Sequence, residues 1–167
     1  DDEGGAFLKA DFERFGVSTE LCGEVKGYAS FSSYIILSDK EKTRTCVFDK
    51  GNIPPLALND KQRKAVEESA ILMVDGNEIN AACDAAKTAR ENGVDVLYDA
   101  GGLYDGIEKL LPYANILIPS HEYASGFTGE NSAEKAAVKL YEQYSPDVVV
   151  ITDGKNGGYM YDGKEIF

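Results

Sequence analysis

The rhythm of hydrophobic and polar positions changes along the chain. Residues 3–16 carry large apolar side chains at helical spacing and end at a glycine, which predicts an amphipathic helix. Residues 31–37 and 43–48 are instead rich in β-branched and aromatic side chains, with the polar run SDKEK between them. This second pattern predicts an antiparallel hairpin.

From residue 59 onward, helical periodicity alternates with short apolar runs. The periodicity predicts helices near residues 59–69, 78–92, 104–111 and 132–144. The apolar runs predict strands at AILMVD, VDVLYD, ANILIPS and DVVVIT, and GYMYDGKEIF predicts a closing hairpin with its turn at Asp162-Gly163. Strands that are apolar on both faces and alternate with helices predict an α/β fold, with a parallel sheet covered on each side.

The connector GNIPPLALND separates the two patterns, because Pro54 and Pro55 resist regular structure. A chain of 167 residues is expected to form one compact domain. Within it, we expect residues 1–18 and 51–167 to form the α/β core and residues 19–50 to form the antiparallel β excursion.

Composition and charge exclude several classes of partner. Seventeen basic against twenty-nine acidic residues give a net charge of −12, which would repel a nucleic-acid backbone. The apolar runs are too short to cross a membrane, and the acidic first residues are unlike a targeting peptide, so a cytoplasmic location is expected. The three cysteines are widely spaced, fit no metal or disulfide pattern and are expected to be buried.

Polar and glycine-rich residues follow each of the four apolar runs. Because ligands bind outside the carboxyl ends of strands in open α/β sheets, these segments are predicted to share one cleft. Taken singly, each could also be a helix cap or a tight turn. The four segments are Asp75-Gly76-Asn77, Asp99-Ala100-Gly101-Gly102, Pro119-Ser120-His121-Glu122 and residues 152–158.

The segment TDGKNGG at residues 152–158 is the strongest candidate for a ligand site. Its glycines allow a sharp bend and a close approach to a ligand, and backbone N–H groups in such a turn can hold a phosphate or line a purine pocket. Its spacing matches neither a P-loop nor a dinucleotide fingerprint. The single histidine, His121, shows no acidic or nucleophilic partner in the sequence and is expected to be an ordinary loop residue.

Five segments together resemble the PfkB family of carbohydrate kinases, also called ribokinase-like. VVVITDGKNGGYMYDG is similar to the strand, the Thr-x-Gly-x-x-Gly nucleotide loop and the hairpin of that family. The other four segments, in chain order, are DDEGGAFLKADFERFGVST, KTRTCVFDKGN, ARENGVDVLYDAGG and LLPYANILIPSHEYASGFTG. The resemblance implies the central portion of a ribokinase-like, Rossmann-like fold: a parallel sheet flanked by helices, with residues 19–50 as a small β lid.

What the resemblance implies about activity is ATP-dependent phosphorylation of a hydroxyl on a sugar or sugar-like alcohol. The residues placed at the nucleotide are Thr152, Gly154 and Gly157. Those placed on the substrate side of the cleft are Asp75, Asn77, Asp99 and the lid residue Arg44.

The resemblance also implies Mg²⁺ and a homodimer formed through the lid. Glu122 is the candidate metal ligand, although it lies one residue earlier than the Glu of the family's Asn-x-x-Glu motif, and Ser120 stands at the Asn. The dimer would use an apolar lid face, for which the candidates are Phe31, Tyr34, Ile36 and Phe48.

The family's Asp-Thr-x-Gly-Ala-Gly-Asp motif is absent from these residues. Because it supplies the anion hole and the catalytic base, the base is expected beyond Phe167, and residues 1–167 alone are expected to be inactive. One alternative is a non-catalytic α/β module that binds a nucleotide or metabolite through the same loops. Another is a flavodoxin- or receiver-like domain with an acidic pocket at Asp75 or Asp99. The predicted hairpin argues against this second alternative.

Overall fold

The structure, a computed structural model, describes residues 2–40 and 43–167. It divides into two compact units, Asp1–Pro54 and Pro55–Phe167, so the boundary falls between the two prolines of the connector. The assignment of residues 1–18 to the α/β core stays a prediction. Part of the predicted SDKEK turn, Glu41 and Lys42, lies outside the described residues.

The first unit begins with helix α1 (Glu3–Arg14), which is capped by Asp2. The Asp2 carboxylate accepts hydrogen bonds from the Gly5 amide at 2.8 Å, the Ser30 amide at 2.7 Å and the Ser30 hydroxyl at 2.6 Å. These bonds, with the Ser30 hydroxyl foremost, lower the pKa of Asp2 to about 2. The cap therefore also ties the start of α1 to the segment that leads into the hairpin.

The predicted hairpin is present as β1 (Ser32–Ser38) and β2 (Thr43–Asp49), paired antiparallel. Residues that face each other across the pair lie on the same side of the sheet. Tyr34 and Ile36 alternate with Ser33, which is opposite Phe48, and Phe31 stacks on Phe48 with ring centroids 5.9 Å apart. The four residues predicted to share one lid face are therefore split between two faces. Dimerisation through the hairpin stays a prediction.

The cysteines differ from expectation. All three are free thiols, and Cys22 and Cys46 are exposed, while Cys83 is half-buried. The prediction of burial is wrong for Cys22 and Cys46, and at Cys46 the reason is that every residue of β2 keeps its side chain exposed. Burial raises the pKa of the Cys83 thiol.

The second unit is a five-stranded sheet with its strands in sequence order. Neighbouring strands from β3 to β6 are parallel, and β7 is antiparallel to β6. The strands are β3 (Ile71–Val74), β4 (Asp95–Ala100), β5 (Ile116–Pro119), β6 (Val148–Thr152) and β7 (Gly158–Tyr161). The helices are α2 (Asp60–Glu67), α3 (Ile79–Glu91), α4 (His121–Thr128) and α5 (Ala133–Tyr144). This arrangement confirms the α/β fold class.

One face of the sheet forms the core of the second unit. Tyr98, Leu117 and Ile151 project from this face and are almost wholly buried, in one cluster with alanines of α3, α4 and α5. Residues of the opposite face lie outside this cluster and keep part of their surface exposed; they include Met73, Leu97, Ile116, Ile118 and Val150. The apolar strands predict that both faces of the sheet are covered, but residues 55–167 cover only one of them.

The segment predicted as a helix at residues 104–111 forms two short 3₁₀ helices instead, Ile107–Lys109 and Leu111–Tyr113. Pro112 explains the break, because it lacks an amide hydrogen and its ring clashes with the preceding turn of an α-helix. Gly106 directly precedes the first of these helices in a left-handed conformation, with φ +86°, and the chain changes direction there.

The closing hairpin has its turn where the sequence places it. The Asp162 carboxylate accepts hydrogen bonds from the amides of Lys164 and Glu165 at 2.9 and 3.0 Å, and Gly163 has φ +88°. Among the helices of the described residues, none is long and apolar enough to cross a membrane.

Candidate functional site at the carboxyl edge of the sheet

Four predicted site segments meet at one edge of the sheet. Val74 of β3 pairs with Tyr98 of β4, and Ala100 pairs with Pro119 of β5. Immediately beyond, Ser120 forms a parallel bridge with Thr152 at the end of β6. Because β3 to β6 are parallel, the residues that follow them all emerge at this edge, which we call the carboxyl rim. The shared cleft edge predicted from the sequence is thus present.

The loop after β3 is a self-contained turn at the rim. The Asp75 carboxylate accepts from the Asn77 amide at 3.0 Å and from the Asn77 side chain at 2.6 Å. Gly76 between them has φ +82°, and a Cβ there would lie 3.2 Å from the Tyr98 hydroxyl oxygen. Both reasons require glycine at this position. Asp75 and Asn77 therefore form a tight turn, and this turn does not conflict with a role of the two residues in ligand binding.

A groove of about 380 Å³ runs beside this loop. Asp75, Asn77 and Glu78 give it one polar end, and the Glu78 carboxylate accepts a hydrogen bond from the Leu56 amide at 3.3 Å. The rest of its wall is apolar and consists of Leu56, Leu58, Met73, Val74, Ala81, Ala82 and Ala85. Mixed linings of this kind, mostly apolar with a few polar groups, are typical of small-molecule sites.

The other two substrate-side candidates occupy different places. Asp99 lies at the rim near the end of β4, with its side chain exposed. Arg44 belongs to the first unit, on β2 opposite Leu37, and is also exposed. The structure therefore brings Asp75, Asn77 and Asp99 to one edge of the second unit.

The glycine loop joins β6 to β7 through a short 3₁₀ turn, Gly154–Asn156. The Asp153 amide donates to the Gly157 carbonyl at 2.8 Å, and the Gly157 amide donates to the Gly154 carbonyl at 3.2 Å. Gly154 has φ +52°, and Gly157 has φ +92° with ψ −127°, a combination that a residue with a side chain rarely adopts. The backbone of this loop is thus set by its glycines.

Space beside the loop is open. A Cβ added at Gly154 or at Gly157 would meet no atom within 4 Å, so the backbone there can be approached closely by another molecule. Gly158 has a different role, because a Cβ there would lie 2.8 Å from the Ile151 carbonyl oxygen. Two glycines therefore serve an open loop, and the third serves strand packing.

His121 is not the loop residue that the sequence predicts. It is the first residue of α4, which follows β5 directly, with Ser120 as the cap: the Ser120 hydroxyl oxygen accepts from the Tyr123 amide at 3.1 Å. His121 Nδ1 lies 3.1 Å from Asp153 Oδ1, and its Nε2 lies 3.2 Å from the Asn131 carbonyl oxygen. His121 therefore has an acidic partner, Asp153, that the sequence did not reveal.

Asp153 lies in the predicted segment at residues 152–158, but the sequence did not single it out as a site residue. Its pKa is lowered, first by the hydrogen bond from the Asn156 side chain and then by that from His121. His121 and Asp153 are 32 residues apart in sequence. The available signal was their position, since each comes one or two residues after one of two strands that neighbour each other in the sheet.

Glu122 lies in the first turn of α4 with its side chain exposed. Within residues 2–40 and 43–167, no three His, Cys, Asp or Glu side chains gather into a metal-binding group. Mg²⁺ usually keeps several waters and binds through one or two carboxylates together with substrate phosphates. An isolated carboxylate such as that of Glu122 fits that way of binding and not an all-protein metal site.

Known proteins share the fold of this chain, and a family model matches its sequence. The model of the "pfkB family carbohydrate kinase" matches residues 1–167. No curated protein matches the sequence. Among solved structures, the chain is similar to an adenosine kinase from Sinorhizobium meliloti, with 16% identity and a TM-score of 0.82, covering 100% of this chain and 54% of that one. It is also similar to a PfkB protein from Polaromonas sp. JS666, with 17% identity and a TM-score of 0.82, covering 99% and 62%.

A third similar structure is a fructokinase with bound ATP from Xylella fastidiosa, with 17% identity and a TM-score of 0.76, covering 99% of this chain and 58% of that one. The chain thus spans little more than half the length of these solved relatives. These likenesses show the fold, and the family match over all 167 residues shows the family. The chain belongs to the pfkB family of carbohydrate kinases.

Proposed function

We propose that the protein containing this chain transfers the γ-phosphate of ATP to a hydroxyl group of a sugar or a sugar-like alcohol. The observation that carries the proposal is the carboxyl rim, where an open glycine loop and the carboxylates of Asp75 and Asp99 emerge from neighbouring parallel strands. Phosphoryl transfer depends mainly on positioning two substrates and stabilising charge, and a shared rim supplies the positioning.

In this proposal the glycine loop holds the nucleotide. Thr152, Gly154 and Gly157 lie at the end of β6 and in the loop, where close approach to the backbone is open. A turn of this kind offers backbone N–H groups to phosphate oxygens or to a purine edge. The fructokinase with bound ATP supports the choice of nucleotide.

The sugar lies toward the β3 end of the rim. Asp75 and Asn77 line the polar end of the groove, and carboxylate and amide groups suit the hydroxyls of a sugar. Asp99 lies between this groove and the glycine loop in strand order. Arg44 is assigned to the transferring phosphate, because a planar guanidinium suits developing charge on phosphate oxygens.

Mg²⁺ would bind with the nucleotide phosphates and neutralise part of their charge. Glu122 is the residue of this chain proposed to contact it, directly or through water. We also propose that the catalytic base belongs to the Asp-Thr-x-Gly-Ala-Gly-Asp motif of the family, which residues 1–167 do not contain.

An ADP-release assay on the whole protein tests the proposal. With Mg²⁺ and ATP, a panel of pentoses, hexoses and nucleosides should contain at least one compound that raises ADP formation at least tenfold, with phosphate recovered on that compound. The 167-residue chain alone should give no such turnover. ATP binding without turnover on any compound would favour a non-catalytic binding module, and turnover by the 167 residues alone would contradict the assignment of the base.

A further inference from the structure

His121 lies where three segments of the second unit meet. It starts α4, its Nδ1 is 3.1 Å from the Asp153 carboxylate, and its Nε2 is 3.2 Å from the Asn131 carbonyl oxygen. Asn131 belongs to the connection between α4 and α5. One imidazole therefore lies against the glycine loop and a helix connection at the start of α4.

Asp153 carries this link into the glycine loop. One carboxylate oxygen faces His121, and the other accepts a hydrogen bond from the Asn156 side chain at 3.1 Å. The backbone of Asp153 also closes the loop, since its amide donates to the Gly157 carbonyl at 2.8 Å and its carbonyl accepts from the Asn156 amide at 2.9 Å. Any displacement of Asp153 therefore changes the positions of Asn156 and Gly157.

The loop needs such an anchor. Gly154 and Gly157 have no side chains that could pack against the rest of the unit, and a Cβ at either position would meet no atom within 4 Å. A loop that is open to a ligand and rich in glycine loses conformational entropy when a ligand orders it. A side chain that fixes the loop beforehand reduces that loss and strengthens binding.

The imidazole is suited to this task. His121 and Asp153 keep 31% and 22% of their side-chain surface exposed, so the pair is partly shielded from water. Each ring nitrogen lies within hydrogen-bond distance of an oxygen acceptor, but a neutral imidazole carries one proton. The tautomer with its proton on Nδ1 donates to the Asp153 carboxylate and makes no hydrogen bond to the Asn131 carbonyl oxygen. A hydrogen bond to a charged acceptor is stronger than one between neutral groups.

We propose that His121 is a positioning residue that holds the glycine loop, through Asp153, in the conformation that binds nucleotide. The proposal deepens the proposed function and rests on it for the identity of the ligand. His121 acts on the ligand through Asp153 and is not assigned any contact with the reacting atoms.

Calorimetric titration of the whole protein with ATP and Mg²⁺ provides the first test. His121→Ala should raise the Kd for ATP about three- to tenfold, the fold-change that corresponds to the net contribution of one typical hydrogen bond. His121→Asn should stay within about twofold of the unchanged protein, because the Asn amide nitrogen occupies the position of Nδ1 on the same Cγ atom. Equal loss in both variants, or no loss in His121→Ala, would overturn the proposal.

A double-mutant cycle tests the route through Asp153. If His121 acts through this carboxylate, then His121→Ala should have little further effect on ATP affinity in a protein that already carries Asp153→Ala. Fully additive losses would show that His121 acts by another route and would overturn the proposal. Thermal melting of each variant shows whether it is folded, and His121→Leu, which also lacks a hydrogen-bond donor, replaces His121→Ala in the cycle if the latter is not.

A measurement without nucleotide separates this proposal from the proposed function. His121 is the only histidine among residues 1–167, so selective ¹⁵N labelling of histidine gives one pair of ring-nitrogen signals from these residues. The signals that disappear in the His121→Asn variant identify this pair. Asp153→Ala should shift the Nδ1 signal and the amide signals of Gly154 and Gly157. If these signals stay unchanged, His121 does not hold the loop through Asp153, even if the protein binds ATP. If neither the unchanged protein nor any variant binds ATP, the proposed function fails. The ring signals still show whether His121 holds the loop through Asp153.

Discussion

Gly157→Ala is expected to weaken ATP binding by about tenfold or more and to lower the stability of the protein by about 1–3 kcal/mol. Gly157 has φ +92° and ψ −127°, and an added Cβ would meet no neighbouring atom, so the cost comes from the backbone alone. Relief of that strain requires the loop to move, and the groups proposed to hold phosphate move with it. Calorimetry with ATP and Mg²⁺ measures the first effect, and urea unfolding measures the second.

Gly93→Ala is the matched control for this variant. Gly93 has φ +74°, and a Cβ there would also meet no atom within 4 Å, but it follows α3 and precedes β4, at the amino end of the sheet. It should lower stability by about 1 kcal/mol and leave ATP affinity unchanged. Equal ATP affinities in Gly157→Ala and the unchanged protein would contradict the placement of nucleotide at the loop.

The largest loss of stability, about 3–5 kcal/mol, is expected for Tyr123→Ala. Tyr123 is 0% exposed and meets the Tyr98 ring edge to face with centroids 6.3 Å apart. It also stacks on Phe127 with centroids 5.8 Å apart and an interplanar angle of 10°. Removing the ring leaves a cavity between β4 and α4 that the surrounding side chains cannot fill. Urea unfolding followed by circular dichroism measures the change.

Tyr123→Phe separates the ring from its hydroxyl. Among the described residues, the buried hydroxyls of Tyr98 and Tyr123 make no hydrogen bond of ordinary geometry, and they interact only weakly with each other. Burial raises the pKa of Tyr98 to about 12 and also raises that of Tyr123, so both groups are neutral at physiological pH. Removal of an unpaired neutral hydroxyl should change stability by less than about 1 kcal/mol. A loss above about 2 kcal/mol would show that the Tyr123 hydroxyl has a partner.

The sequence predicted the features that depend on local pattern. Alternating helical and apolar segments indicated parallel strands, and parallel strands place their following residues at one edge, so the rim with Asp75, Asp99 and Thr152 was predictable. The hairpin and the closing turn at Asp162-Gly163 followed from β propensity and turn chemistry, because both depend on near neighbours in the chain.

Features that depend on distant neighbours were not predictable. The His121–Asp153 pair requires the register of β5 against β6, which no local pattern specifies. The face of Phe48 depends on the register of β1 against β2, since a shift of one residue exchanges the faces, whereas the alternation of side chains already separates Phe31 from Tyr34 and Ile36. Pro112, by contrast, is a local signal against a continuous α-helix, and the prediction of a helix at residues 104–111 did not take it into account.

The central claim is that the carboxyl rim binds nucleotide, and hydrogen–deuterium exchange of the whole protein with and without ATP and Mg²⁺ tests it most directly. The largest gain in protection should fall on residues 152–158, with smaller gains in the rim segments at residues 75–77 and 120–123. The turn at residues 162–165 and the amino end of β4 should not change. Protection that appears at the amino ends of the strands, with residues 152–158 unaffected, would contradict the account.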